Sequence, residues 1–143
     1  MTTFADIDQF YTVTRALFAR IERDDPGAAD AILASRLVIR LRISDPAAEI
    51  MIDGRKRPVQ TTFGPSSLRP TLDIELAADT LHRIMLGELS MTKALANGQL
   101  KVRGPVWKAM ALADLFRRGQ ALYPAVLREC KAARKPVIQG DDA

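Results

Sequence analysis

The stretch that decides the fold is Gly98-Gln99-Leu100-Lys101-Val102-Arg103-Gly104. Leu100 and Val102 alternate with Lys101 and Arg103, the period-two pattern of a strand with one apolar and one charged face. Glycine closes it at both ends, and amphipathic helical segments lie on either side. Ser90 caps the segment before it, which carries Met91, Ala94 and Leu95 and stops at Gly98. Gly104-Pro105 opens the segment after it, which runs to about Arg118 with Val106, Ala109, Leu112, Ala113 and Phe116 on one stripe. Trp107 and Leu115 fall outside that stripe, beside Lys108, Asp114 and Arg118. Such a helix requires apolar cover on more than one side, or it exposes apolar area.

Working back toward the N-terminus, Leu72, Ile74 and Leu76 alternate with Asp73 and Glu75 over a strand from Thr71 to Leu76. A helix follows, carrying Leu81, Ile84 and Met85 and stopping at Gly87. Leu37, Ile39, Leu41 and Ile43 alternate with Val38, Arg40 and Arg42, and Ile50 and Ile52 continue in a second strand. Asp53-Gly54 is a hairpin turn signal with Arg55-Lys56-Arg57 at its tip, and a third strand runs from Pro58 to Phe63. Ile7, Phe10, Tyr11, Thr14, Leu17, Phe18 and Ile21 share a helical stripe from Asp6 to Arg23. Asp25-Pro26 reads as a cap and first turn of a short helix through Ala34. No strand is apolar on both sides. The expectation is a two-layer α+β domain: a five-stranded, mostly antiparallel sheet with helices packed on one face.

Composition sets bounds on function. The chain has 143 residues, 48% hydrophobic and 27% charged, enough for one domain with its own core. One cysteine, Cys130, excludes an internal disulfide and suits a reducing compartment. The first residues lack a basic and apolar signal pattern, and no apolar run reaches membrane-spanning length, so a cytoplasmic location is expected. The net charge of +4 is uneven, with nine Lys or Arg against two acids between residues 101 and 135. That basic third fits either a solvated helix face or an anionic partner surface, membrane or nucleic acid. Residues 1–135 are read as one domain and 136–143 as a polar tail.

The inventory of reactive groups is thin. His82 is the single histidine, without a carboxylate partner evident in the sequence, and reads as a partly exposed structural residue. Cys130 reads as a small side chain near the surface, with a basic environment that would favour its thiolate as the alternative. One His and one Cys cannot build a zinc site, no phosphate-cradling glycine loop occurs, and no nucleophile elbow is present. The expectation is a protein that is not an enzyme and uses no cofactor or metal. Ala109 and Ala113 leave little volume opposite the sheet. Two readings stay open: close helix–sheet packing, or a cavity filled by an apolar ligand.

Leu72-Asp73-Ile74-Glu75-Leu76, the Leu81–Leu86 helix, Lys93-Ala94 with Gly98, and the strand from Gly98 to Gly104 occur in an order and spacing that resembles the sterol carrier protein 2 family over residues 35–118. The resemblance implies a lipid-binding domain, with helices on a five-stranded sheet around an apolar tunnel for a fatty acid, acyl-CoA, sterol-like or isoprenoid ligand. It implies lining positions rather than one invariant residue: Leu81, Met85, Leu89, Met91, Leu95, Leu100, Val102, Met110, Leu112 and Phe116. Met85 and Met91, either side of the Gly87 break, suit irregular apolar partners. The chain ends in Asp141-Asp142-Ala143 without the peroxisomal signal of some members, and its flanking helices resemble a bacterial stand-alone form. Three roles follow as expectations. The first is a lipid carrier that touches anionic membranes through Arg55-Lys56-Arg57 or the basic C-terminal helix. The second is an accessory subunit presenting an apolar substrate to partner enzymes, for example in quinone or lipid metabolism, with Trp107 and Leu115 as docking surface. The remotest is nucleic-acid binding by the basic C-terminal helix.

Overall fold

The computed structural model describes Phe4 and residues 6–131. The chain runs α1 (Ile7–Asp24), α2 (Asp30–Ala34), β1 (Val38–Ser44), β2 (Ala48–Asp53), β3 (Gln60–Phe63), β4 (Leu72–Ala77), α3 (Ala78–Met85), α4 (Met91–Ala96), β5 (Leu100–Arg103) and α5 (Ala109–Gln120), with one 3-10 turn at Val106–Lys108. Residues 123–131 are again helical. The polar tail and the end of the basic helix fall outside the described residues.

Local signals start the elements where chemistry requires. The Asp6 carboxylate accepts a hydrogen bond from the Gln9 amide at 2.8 Å and caps α1. Ser90 does the same for Lys93 at the start of α4. The second helix begins later than expected, at Asp30, because residues 25–30 close two successive tight turns, Ala28 N–H to Asp25 C=O and Asp30 N–H to Gly27 C=O. The third strand likewise starts at Gln60 and not at Pro58, which has no N–H to donate to the ladder.

The sheet order is β3-β2-β1-β4-β5. Three pairings are antiparallel, as the alternation predicts, and β1 lies parallel to β4 at the centre. Ile39, Leu41, Ile50, Ile52, Leu72, Ile74 and Leu100 point to the helical side and are buried, beneath Phe10, Val13, Leu17, Ile84, Leu112 and Phe116. The other face is charged. Arg40 grips Asp73 across the parallel pair with two hydrogen bonds, 2.6 and 3.3 Å, and Arg42 approaches Asp73 and Glu75 at 3.6 and 3.7 Å. The Arg40 hydrogen bond outweighs desolvation and holds the Asp73 carboxyl below its usual pKa.

β5 shows why its bounding glycines stand where they do. Gly98 and Gly104 have φ of +82° and +117°, conformations that side chains rarely adopt. A Cβ on Gly98 would meet open space, whereas one on Gly104 would lie 2.6 Å from the Thr71 carbonyl oxygen. Gly98→Ala is therefore expected to cost about 1–2 kcal/mol, the strain of the backbone conformation alone. Gly104→Ala, with a backbone collision added, is expected to cost at least about 3 kcal/mol. Urea unfolding of the two variants measures the difference; equal losses would contradict it.

Candidate functional site

The helices do not cover the sheet evenly. α1 buries Phe10, Val13, Thr14, Leu17 and Ile21 over the middle of the sheet. β3, at the edge, keeps Thr61 and Phe63 only half-buried on its inner side. α2 has five residues and is too short to cover it. A cleft of about 400 Å³ opens there. Ile52, Leu115, Ile21 and Leu33 line its apolar part together with Phe18, Phe63, Val59 and Pro58; its polar lining includes Arg15, Glu22, Asp25, Arg57 and Gln60. Phe18 and Phe63 meet edge-to-face at 5.9 Å, and the Arg15 guanidinium sits 4.8 Å from the Phe63 ring centre.

A second hollow lies deeper, between α1, α3, α5 and the sheet. It measures about 20 Å³, roughly the room of one water, and is lined by Thr14, Leu17, Leu41, Ile50, Leu81, Met85, Phe116 and Tyr123 among others. Its polar groups are already engaged: the Thr14 hydroxyl donates back to the Phe10 carbonyl at 2.9 Å, and the Tyr123 hydroxyl lies 2.7 Å from His82 Nδ1. Phe18 and Ile21 line both hollows and form the wall between them.

The positions singled out from the sequence divide accordingly. Leu81, Met85 and Phe116 come together around the inner chamber. Leu89, Leu100 and Leu112 are buried, Met91 and Val102 half-buried, and Leu95 and Met110 exposed; none of these seven lines either hollow. The expected pairing of Trp107 with Leu115 as exposed surface needs correction. Trp107 is 72% exposed, but Leu115 is buried and lines the cleft, because α5 is covered on two sides. The α1–α2–β3 cleft was missed by pattern reading. The available signal was Val59, Thr61 and Phe63 alternating on an edge strand opposite Phe18.

The reactive groups are built into the scaffold. Burial holds the His82 imidazole below its usual pKa, against the opposing pull of Glu88 and Asp79 and with some help from Lys131. Burial pushes the Tyr123 phenol and the Cys130 thiol up, so the thiolate alternative for Cys130 is not favoured. Among the described residues, no three His, Cys, Asp or Glu side chains are grouped to hold a metal. No described helix is long and apolar enough to cross a membrane. The basic C-terminal third is in part neutralised: Arg118 pairs with Asp25 and Asp114, Arg117 with Asp114, and Arg103 and Lys101 stand opposite Asp73 and Glu75.

These features find their class by comparison. The SCP-2 sterol transfer family model matches residues 18–117, and the chain belongs to that family. No curated protein sequence matches it. The fold is similar to the solution structure of the sterol carrier protein domain 2 of Helicoverpa armigera, at 18% identity and TM-score 0.64, over 79% of this chain and 89% of that one. It is also similar to the palmitated SCP2L2 of Aedes aegypti, at 18% identity and TM-score 0.56, over 74% and 92%. A third similar structure is the stereoselective inverting sec-alkylsulfatase Pisa1 from a Pseudomonas species, at 19% identity and TM-score 0.51, over 62% of this chain but only 13% of that enzyme. The fold therefore occurs both as a small carrier domain and as one part of an enzyme.

The His82 environment has a sign that can be checked. A depressed folded-state pKa means that the unfolded chain takes up the proton first, near its ordinary value of about 6.5. Stability is then complete above that value, falls as pH drops through it, and levels off below the folded-state pKa. Melting temperature is expected to decline as pH drops through about 6.5, and His82→Gln to flatten that slope. A variant with the same slope as the parent would exclude His82 as its source.

Proposed function

We propose that this chain binds one lipid with an extended apolar tail and carries it in solution. The observation that carries the reading is the α1–α2–β3 cleft, whose size falls in the range of small-molecule sites and whose apolar wall is shared, through Phe18 and Ile21, with the inner chamber. The tail lies on Ile52 and Leu115, and displacement of Phe18 admits its end to the chamber of Leu81, Met85 and Phe116. Arg15, which has no ion pair among the described residues and stacks on Phe63, is placed to meet a carboxylate at the mouth. A fatty acid fits this arrangement better than a sterol, since the cleft offers both an apolar trough and a cation. Palmitate in the Aedes relative supports the same ligand class. An accessory role within an enzyme assembly is the second reading, favoured by the alkylsulfatase that contains this fold as a minor part.

Ala19 and Ala29 line the cleft from α1 and from the turn before α2, neither fully buried, so larger side chains there fill the cleft without disturbing the core. Delipidated protein is expected to bind a fluorescent fatty acid saturably, one per chain. Ala19→Phe or Ala29→Phe, displacing about two methylenes of the tail at about 0.8 kcal/mol each, is expected to weaken it by about 15-fold. Unaltered affinity in both variants would place the ligand elsewhere, and no saturable binding would remove the proposal. Transfer of the probe to acceptor vesicles by the protein alone identifies a carrier; binding without transfer favours the accessory role.

A further inference from the structure

We infer that the β2–β3 hairpin is a docking surface for an anionic lipid leaflet, placed to present the mouth of the ligand cleft to the bilayer; this rests on the lipid-binding reading above. A second groove, of about 750 Å³, lies against the hairpin tip, and Arg36, Arg55, Lys56 and Arg57 line it with Asp53 as its one carboxylate. Arg57, Pro58 and Gln60 line both this groove and the ligand cleft, so the cationic surface runs without a break into the mouth.

The tip is held rather than loose. Gly54 packs so closely against the middle of α2 that a Cβ there would fall 2.5 Å from Ile32 Cγ2, and its N–H donates to the Leu37 carbonyl at 2.7 Å. The Asp53 carboxylate accepts from the Arg55 amide at 3.1 Å and from its guanidinium at 2.9 and 2.8 Å, which folds the turn back on itself. Asp30 stands 3.8 Å from Arg57. Arg36 and Lys56 have no ion pair among those formed by the described residues, and both are exposed. They are the charges left to meet an external anion.

Charge complementarity with an anionic headgroup layer and continuity with the cleft select the bilayer as partner. A ligand with a long tail is held in membranes, and a docking surface at the cleft mouth shortens its path through water. The groove holds no aromatic side chain on which a base would stack, which disfavours nucleic acid. It also holds no large apolar side chain beyond Pro58 and the stems of its cations, so attachment is at the headgroup level and salt-sensitive.

The test is co-sedimentation of the full chain with phosphatidylcholine vesicles, with and without phosphatidylglycerol, at low and high salt. The parent is expected to bind only the anionic vesicles, and less in high salt. Arg36→Gln with Lys56→Gln is expected to weaken partitioning by about 25-fold, about fivefold for each cation. Neither residue lines the ligand cleft, so fatty-acid affinity in solution is expected to stay the same. Lys93→Gln with Lys101→Gln, on α4 and β5, controls for net charge and is expected to change partitioning little. The inference is overturned by no anionic-vesicle binding by the parent, an equal loss in the control pair, or full binding by the Arg36/Lys56 variant. Binding of a DNA duplex with no vesicle binding also overturns it. Vesicle binding that depends on Arg36 and Lys56, in a protein that takes up no fatty acid, sustains the docking surface and removes the ligand reading instead.

Discussion

The constraint on which this domain depends is the burial of one apolar sheet face by too few helices. Ile39, Leu41, Leu72 and Ile74, in the two central strands, are fully covered, and the side chains of α1 and α5 that lie over them are among the largest buried residues. Buried apolar surface at about 25 cal/mol per Å² makes this centre the main source of stability. Helical cover runs out toward β3, where α2 is short and Phe63 stays half-exposed. The cleft is a consequence of that shortfall, so the same packing that holds the fold also defines where it is open.

The opposite face solves a different problem. Parallel strands ordinarily lie between two helical layers, yet β1 and β4 pair in parallel with one side free of helices among the described residues. Their outward residues are complementary in register: Arg40 opposite Asp73, Arg42 opposite Glu75. β5 continues the ladder, with Arg103 opposite Asp73 and Lys101 opposite Glu75. A line of cross-strand pairs thus replaces a second apolar layer, at low exposure for Asp73 and its Arg40 partner. Misaligning β4 by one residue would expose Leu72 and Ile74, turn Asp73 and Glu75 into the core and leave Arg40 and Arg42 without their partners.

Much of this was legible from local pattern. The alternation of Leu100 and Val102 between two glycines gave β5, its face and its ends, because a positive φ at Gly98 and Gly104 leaves a trace in residue type. The α1 stripe and the Asp53-Gly54 turn were equally readable. The β1–β4 pairing was not, since alternation reveals which face of a strand is buried but not which strand is its neighbour. The cleft was illegible for a related reason. Phe18 belongs to the same helical stripe as Leu17 and Ile21, and only the placement of β3 at the sheet edge turns it into a wall between two hollows. Leu115 was misplaced because one stripe was assigned to α5, whereas the helix is packed on two sides.

The small size of the inner chamber follows from the cost of empty space in a packed interior. A void of about 20 Å³ costs about 0.5 kcal/mol at roughly 24 cal/mol per Å³. An empty tunnel ten times larger would cost about 5 kcal/mol, comparable with the whole stability of a domain. A fold that takes up a long apolar tail must therefore stay collapsed until the tail arrives, and must have side chains able to yield. Phe18 and Met85 are suited to this: one is half-buried and faces the cleft, the other is unbranched and adapts to irregular neighbours. Each methylene that replaces them against the chamber wall returns about 0.8 kcal/mol, so six or seven offset the opening. On that arithmetic, the proposed fatty-acid reading confines short chains to the outer cleft and lets only longer chains reach Leu81 and Phe116.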